Sequence, residues 1–161
     1  MENLERVVKA HPFAAELSPE HLSVVACCAR NVRRSPGEFL FKEGAEAGRF
    51  YLVRKGRLAL EVDVPGRGAT QVESVGPGGV VGFSWLFPDH RWTLDARALE
   101  TLIALEFDAT CLLPKMEADP ALGYALTKPL LNELYKRLNQ VRLGRLDVYG
   151  QGRKDSVGGG T

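Results

Sequence analysis

Hydrophobic positions along the chain recur first with a helical period, then with a period of two, then helically again. Near the start, Ser18-Pro19-Glu20 reads as an N-cap, a first helical residue and an acid in the first turn. The unpaired amides and positive dipole end of a helix favour all three. Leu22, Val25, Ala26 and Ala29 follow at i, i+3, i+4 and i+7, which buries one face. Arg33, Arg34 and Ser35-Pro36-Gly37 are expected to end that helix and turn the chain. From Gly37 to Asp108 the period falls to two. Leu58, Leu60, Val62 and Val64 alternate with Ala59, Glu61 and Asp63, and Trp92, Leu94, Ala96 and Ala98 alternate with Thr93, Asp95 and Arg97. Such runs are strands with one face on a core. Between them lie Pro36-Gly37, Glu43-Gly44, Lys55-Gly56, Pro65-Gly66-Arg67-Gly68 and Gly76-Pro77-Gly78-Gly79. Many short strands separated by such turns predict an antiparallel sandwich or jelly roll.

After Asp108 the helical pattern returns. Asp108 can cap a short helix that runs through Leu113 until Pro114 interrupts or bends it, and Asp119-Pro120 restarts it. Pro129 demands a kink or a fresh first turn. Leu131, Leu134, Leu138 and Val141 are then spaced three, four and three apart, a seam of coiled-coil type. The seam fits two uses: packing on its own domain, or pairing with a second copy in a homodimer. A helix over Pro129–Tyr149 would extend about 30 Å. The expected organisation is therefore residues 1–118 as a β-roll with N-terminal helices, 119–149 as a dimerisation helix, and 150–161 as a disordered tail.

Length and composition narrow the function classes. The 161 residues suit one domain, and 45% hydrophobic with 25% charged residues are globular values. A formal net charge of +1 argues against a generic polyanion binder, so DNA binding is not expected. Cys27, Cys28 and Cys111 are odd in number and two are adjacent, a poor basis for a disulfide framework, and no C-x-x-C pair suggests zinc. No apolar run approaches a membrane span, and Met1–His11 lacks a signal peptide's apolar centre. A reduced, cytoplasmic protein is the expectation. Gly82-Phe83-Ser84-Trp85-Leu86 begins like a nucleophile elbow, but Leu86 replaces the needed glycine. Gly76–Gly82 is glycine-rich yet has no Lys-Ser/Thr ending. His11, His21 and His90 are scattered. No catalytic constellation, metal site or cofactor is indicated.

Three ordered blocks carry a resemblance. They are Gly37-Glu38-Phe39-Leu40-Phe41-Lys42-Glu43-Gly44, then Phe50-Tyr51-Leu52-Val53-Arg54-Lys55-Gly56, then Val75-Gly76-Pro77-Gly78-Gly79-Val80-Val81-Gly82. With a helix on each side, they resemble the cyclic nucleotide-binding domain family, from about Pro12 to Met116. That family includes the sensor half of bacterial cyclic-AMP receptor-type regulators and the regulatory domains of kinases and channels. The resemblance implies a double-stranded β-roll, mainly β with flanking helices, followed by a long C-terminal dimerisation helix. It also implies a phosphate-binding cassette: Gly-Glu opens a short helix, the Glu accepts from the ribose hydroxyl, and an Arg about ten residues on neutralises the cyclic phosphate.

Here the cassette reads Gly82-Phe83-Ser84-Trp85-Leu86-Phe87-Pro88-Asp89-His90-Arg91-Trp92-Thr93. Phe83 occupies the Glu position and Trp92 the Arg position, with Arg91 one residue early. A one-residue shift sends Arg91 to the opposite face unless a bulge redirects it. Phe83 and Trp92 then have two readings. They fill the pocket as core, or they stack on a flat ligand while Arg91 and the amides around Ser84 serve its phosphate. The expected ligand site is Gly82, Phe83, Ser84, Trp85, Arg91, Trp92 and Thr93. The expected role is a stand-alone regulatory sensor, not an enzyme, that binds a nucleotide-like or other small ligand and signals through its last helix to a separate effector protein. The alternative is a ligand-free interaction module. No helix-turn-helix is expected in the residues that follow the last helix.

Overall fold

A computed structural model describes residues 3–154, with side chains as far as residue 146. Helix α1 (Leu4–Ala10) starts at Asn3, whose side-chain oxygen accepts from the amides of Glu5 and Arg6. A single 3-10 turn (Pro12–Ala14) leads to α2 (Pro19–Ala26), where Ser18 Oγ accepts from the His21 amide at 3.2 Å. Leu22, Val25 and Ala26 are buried as their spacing requires.

The chain then departs from the helical expectation. α2 stops at Ala26, and Ala29–Arg34 forms strand β1, so Ala29 and the following arginines belong to a sheet. β1 is an edge strand with no fully buried residue, and four polar residues among six hide its period of two. Seven more strands follow: β2 (Phe39–Phe41), β3 (Arg49–Lys55), β4 (Leu58–Val64), β5 (Gly68–Val75), β6 (Val80–Val81), β7 (Asp95–Ala98) and β8 (Leu102–Asp108). They make two four-stranded antiparallel sheets, in the orders β1-β8-β3-β6 and β2-β7-β4-β5, which face each other as a jelly roll.

Two cores result. Between the sheets lie Leu40, Phe41, Tyr51, Val53, Leu58, Leu60, Val81, Trp92, Ala96 and Ala98. Beneath the first sheet, Phe50, Leu52, Leu105 and Phe107 pack on the helices through Phe13, Leu112 and Leu122. Because β3 is covered on both faces, Phe50, Tyr51, Leu52 and Val53 are all buried and the strand reads as one apolar run. Phe50 stacks on Phe107 of the neighbouring strand at 4.7 Å and on Trp85, from the connection between β6 and β7, at 5.1 Å. The tight turn into β4 needs Gly56: at φ +85°, a Cβ there would lie 2.2 Å from the Thr101 carbonyl oxygen.

Helix α3 (Ala109–Ala118) is capped by Asp108, which accepts from the Thr110 amide at 2.8 Å, and it contains Pro114. Asp119 separates it from α4 (Pro120–Lys154), a 35-residue helix that carries Pro129 inside it and does not restart there. Leu122, Leu126 and Leu130, each 1 to 2% exposed, seat its first turns on the domain. The helix extends beyond the expected Tyr149, and residues 155–161 of the expected tail lie outside the described residues.

The cysteine expectation is corrected. Cys28 and Cys111 form a disulfide across 83 residues of sequence, while Cys27 is a free, exposed thiol. Pairing of β1 with β8, from Ala29 opposite Phe107 onward, brings the residue before β1 next to the first turn of α3. Sequence spacing does not show such a contact; topology creates it. Among the described residues, no helix is long and apolar enough to cross a membrane, and no cluster of His, Cys, Asp or Glu could hold a metal ion.

Candidate functional site

The connection from β6 to β7 contains the cassette segment, and its backbone decides where each side chain goes. Gly82 has φ +95°, and a Cβ there would sit 2.9 Å from the Trp92 ring, so the indole lies directly on the glycine. A short 3-10 turn (Ser84–Leu86) follows. Asp89 and His90 then take left-handed conformations, at φ 74° and 44°, and reverse the chain immediately before Arg91. His90 Nδ1 lies 3.0 Å from the Trp85 carbonyl, which can only accept, so Nδ1 carries the proton.

After this reversal the period of two holds. Trp92 turns inward, 6% exposed, and stacks on Phe41 with centroids 3.8 Å apart and planes 11° from parallel. Its backbone is pinned on both sides: its amide donates to the Ala45 carbonyl at 3.0 Å and its carbonyl accepts from the Gly44 amide at 2.8 Å. Arg91 turns outward, exposed, and its Nη1 donates to the Gly44 carbonyl at 2.9 Å. No bulge redirects its guanidinium to the interior.

A cavity of about 550 Å³ opens between this segment and α4. Gly82, Phe83, Ser84, Arg91, Trp92 and Thr93 line it, so the fold brings six of the seven expected ligand residues together. Trp85 is the exception and is corrected. It is 1% exposed in the core beneath the first sheet, and its Nε1 donates back to the Gly82 carbonyl at 3.1 Å. Phe41, Leu60 and Phe87 complete the apolar walls, while Leu134, Leu138 and Val141 of α4 form the remaining side. Leu131, the first seam residue, lies apart on a groove lined by Phe13, Pro129 and Tyr135. A larger hollow, about 640 Å³ beside Asn3, Arg6 and His11, contains none of the cassette.

One residue central to this cavity escaped the sequence reading. Arg137 projects from α4 into it, with a side chain only 12% exposed. Its Nη2 donates to the Val80 carbonyl, and its guanidinium lies 5.2 Å over the Phe83 ring. Glu73 of β5 stands 3.5 Å away and Glu133, one helical turn earlier, 3.6 Å. Burial lowers the Arg137 pKa from its ordinary value, and the two carboxylates oppose that shift. The signal was present in sequence. Glu133 and Arg137 form an i,i+4 pair on the same helix stripe as Leu130, Leu134 and Val141, where charge is out of place.

The family model for the cyclic nucleotide-binding domain matches residues 31–119, more than half of the chain. The chain belongs to the cyclic nucleotide-binding domain family. Solved structures place the domain further. A protein of Geobacter metallireducens GS-15 assigned as cyclic nucleotide-binding is 27% identical with a TM-score of 0.76, covering 86% of this chain and 99% of its own. The N-terminal domain of a transcriptional regulator from Streptomyces coelicolor A3(2) is 25% identical with a TM-score of 0.65, covering 84% and 94%. The regulatory domain of Toxoplasma gondii PKA, solved with cAMP, shares the fold at 20% identity and a TM-score of 0.60, covering 69% and 42%. No curated protein matches this chain by sequence. In this cyclic nucleotide-binding domain the cassette segment sets Phe83 and Trp92 on one side of the cavity, and α4 sets the largely buried Arg137 guanidinium on the other.

Proposed function

We propose that this cyclic nucleotide-binding domain is a non-catalytic regulatory sensor whose ligand enters the cavity between the β6–β7 segment and α4, and whose output is the position of α4. The observation that supports this reading is Arg137. One side chain of the long helix is hydrogen-bonded to the roll at Val80, lies over Phe83 and pairs with Glu73, all inside the cavity. A ligand that contacts these groups must strengthen or break the tie between helix and roll. It therefore binds the two helix positions with different affinity, which is the requirement for a switch. The ligand is nucleotide-like: a flat base lies against the aromatic wall of Phe83 and Trp92, and its anionic group meets Arg137, because the Arg91 guanidinium is held by the Gly44 carbonyl.

The exposed side of α4 supplies the output surface. Leu131 and Tyr135, outside the cavity, are 64 and 62% exposed, on a helix otherwise rich in charge. A second copy pairing along this stripe gives a homodimer that a separate effector protein reads. Calorimetric titration of the intact chain with cyclic AMP, cyclic GMP and cyclic dinucleotides tests the ligand. Saturable heat with one of them, one site per chain, is the expected result. Absence of heat with all of them overturns nucleotide sensing. It would favour the interaction-module reading, to which the tight Trp92–Phe41 stack lends support.

A further inference from the structure

Away from the cavity, the three cysteines converge on one hollow of about 250 Å³ whose walls also carry Arg30 and Arg49 with the carboxylates of Glu106 and Asp108. Cys28 and Cys111 are bonded to each other. The Lys115 ammonium donates to both sulfurs, at 3.3 Å to Cys28 and 3.5 Å to Cys111. Cys28 is 7% exposed and Cys111 half-buried, so attack from solvent reaches Cys111 first. Arg30 and Arg49 pair with Glu106, yet their side chains remain 62 and 49% exposed, leaving cationic faces at the rim. A structural disulfide needs neither a cation on its sulfurs nor an open hollow. A disulfide made for exchange benefits from both, because the reaction passes through thiolates.

We infer that Cys28–Cys111 is a thiol–disulfide exchange site for a low-molecular-weight thiol bearing carboxylates, such as glutathione. The thiolate of the incoming molecule attacks Cys111 Sγ, the Cys28–Cys111 bond breaks, and the electron pair leaves on Cys28 Sγ, where Lys115 holds it. A second thiol attacks the mixed disulfide, expels the Cys111 thiolate and departs as the small-molecule disulfide. Two thiols are oxidised, one protein disulfide is reduced, and two protons end on Cys28 and Cys111. Arg30 and Arg49 attract the carboxylates of the reagent. The consequence is conformational. The bond ties α3 to the start of β1, and α3 packs on α4 and joins it through Asp119 alone. Reduction loosens the support of the long helix, independently of any ligand in the cavity.

The test equilibrates the intact chain with mixtures of reduced and oxidised glutathione, quenches with acid, alkylates and identifies the modified cysteines by mass spectrometry. Cys28 and Cys111 become alkylated together in one two-electron transition across the series, while Cys27 does not follow that transition. Lys115→Met slows reduction severalfold and Lys115→Arg restores it. Amide exchange over residues 109–118 speeds up in the reduced chain. The inference is overturned if the pair is alkylated at every ratio or at none, if Lys115→Met leaves the rate unchanged, or if amide exchange in α3 is the same in both states.

Discussion

Arg137→Gln removes the charge that joins helix to roll and leaves a shorter, neutral polar side chain. The guanidinium loses a charge-assisted hydrogen bond to the Val80 carbonyl, worth about 1.5–3 kcal/mol net. The ion pairs to Glu73 and Glu133 add little, about 0.5 kcal/mol together, because both carboxylates keep roughly a quarter of their surface in water. Relief of the desolvated guanidinium offsets part of the loss. The balance is about 2 kcal/mol, and at 2–4 °C per kcal/mol for a chain of this size the Tm falls by roughly 4–8 °C. Thermal denaturation followed by circular dichroism measures it. Lys128→Gln is the control: its pair with Glu16 spans 3.9 Å between side chains 58 and 84% exposed, so its effect stays within about 0.5 kcal/mol. Arg137→Lys recovers less than the full loss, since an ammonium cannot present the planar fork that meets Glu73, Glu133 and Val80 together. Equal Tm values for Arg137→Gln and Lys128→Gln would refute the claim that Arg137 fastens α4.

Other outcomes follow from the same geometry. Trp92→Ala empties the stack on Phe41 and costs about 3–5 kcal/mol in urea denaturation, whereas Trp92→Phe keeps a ring there and costs less than half of that. A loss under about 1 kcal/mol for the alanine variant would show that the indole is not part of the core. His11 is buried and its pKa is lowered from 6.5 by desolvation, with Nε2–H donating to Val53 O and Nδ1 accepting from the Phe13 amide. As pH drops through 6.5 the unfolded chain binds the proton first, so stability falls with falling pH until His11 itself is protonated, and the slope from this group fades within about one pH unit above 6.5. His11→Gln should show a shallower fall between pH 6.5 and 5 than the wild type, and parallel curves would contradict the assignment. If the proposed homodimer forms along the exposed stripe of α4, the double variant Leu131→Glu, Tyr135→Glu places charge there and lowers the mass in sedimentation equilibrium from dimer to monomer. A variant that remains dimeric excludes that stripe as the interface.

The roll was legible in sequence because its strands obey a simple rule of alternation and its turns need glycine. The same rule carries Arg91 outward and Trp92 inward. What escaped was set by neighbours distant in sequence. β1 has an apolar side chain only at Val32 and Ala29, and it becomes a strand because β8 is there to pair with it. Trp85 has the composition of a ligand wall, yet its carbonyl anchors His90 while its ring finds Phe50 in the other core. Arg137 stands among Lys128, Lys136, Arg142 and Arg145, which outnumber Glu133 and Asp147 on the last helix and read together as a solvated face, and its partners Glu73 and Val80 are more than fifty residues upstream. The disulfide was hidden for the same reason.

On the proposed reading, the cavity and the long helix form one equilibrium. Hydrogen–deuterium exchange on the intact chain, with and without saturation by whichever cyclic nucleotide gives calorimetric heat, tests it most directly. The expected result is altered protection over residues 130–141 of α4 together with residues 80–94 of the cassette. A change confined to residues 80–94, with α4 untouched, would contradict it.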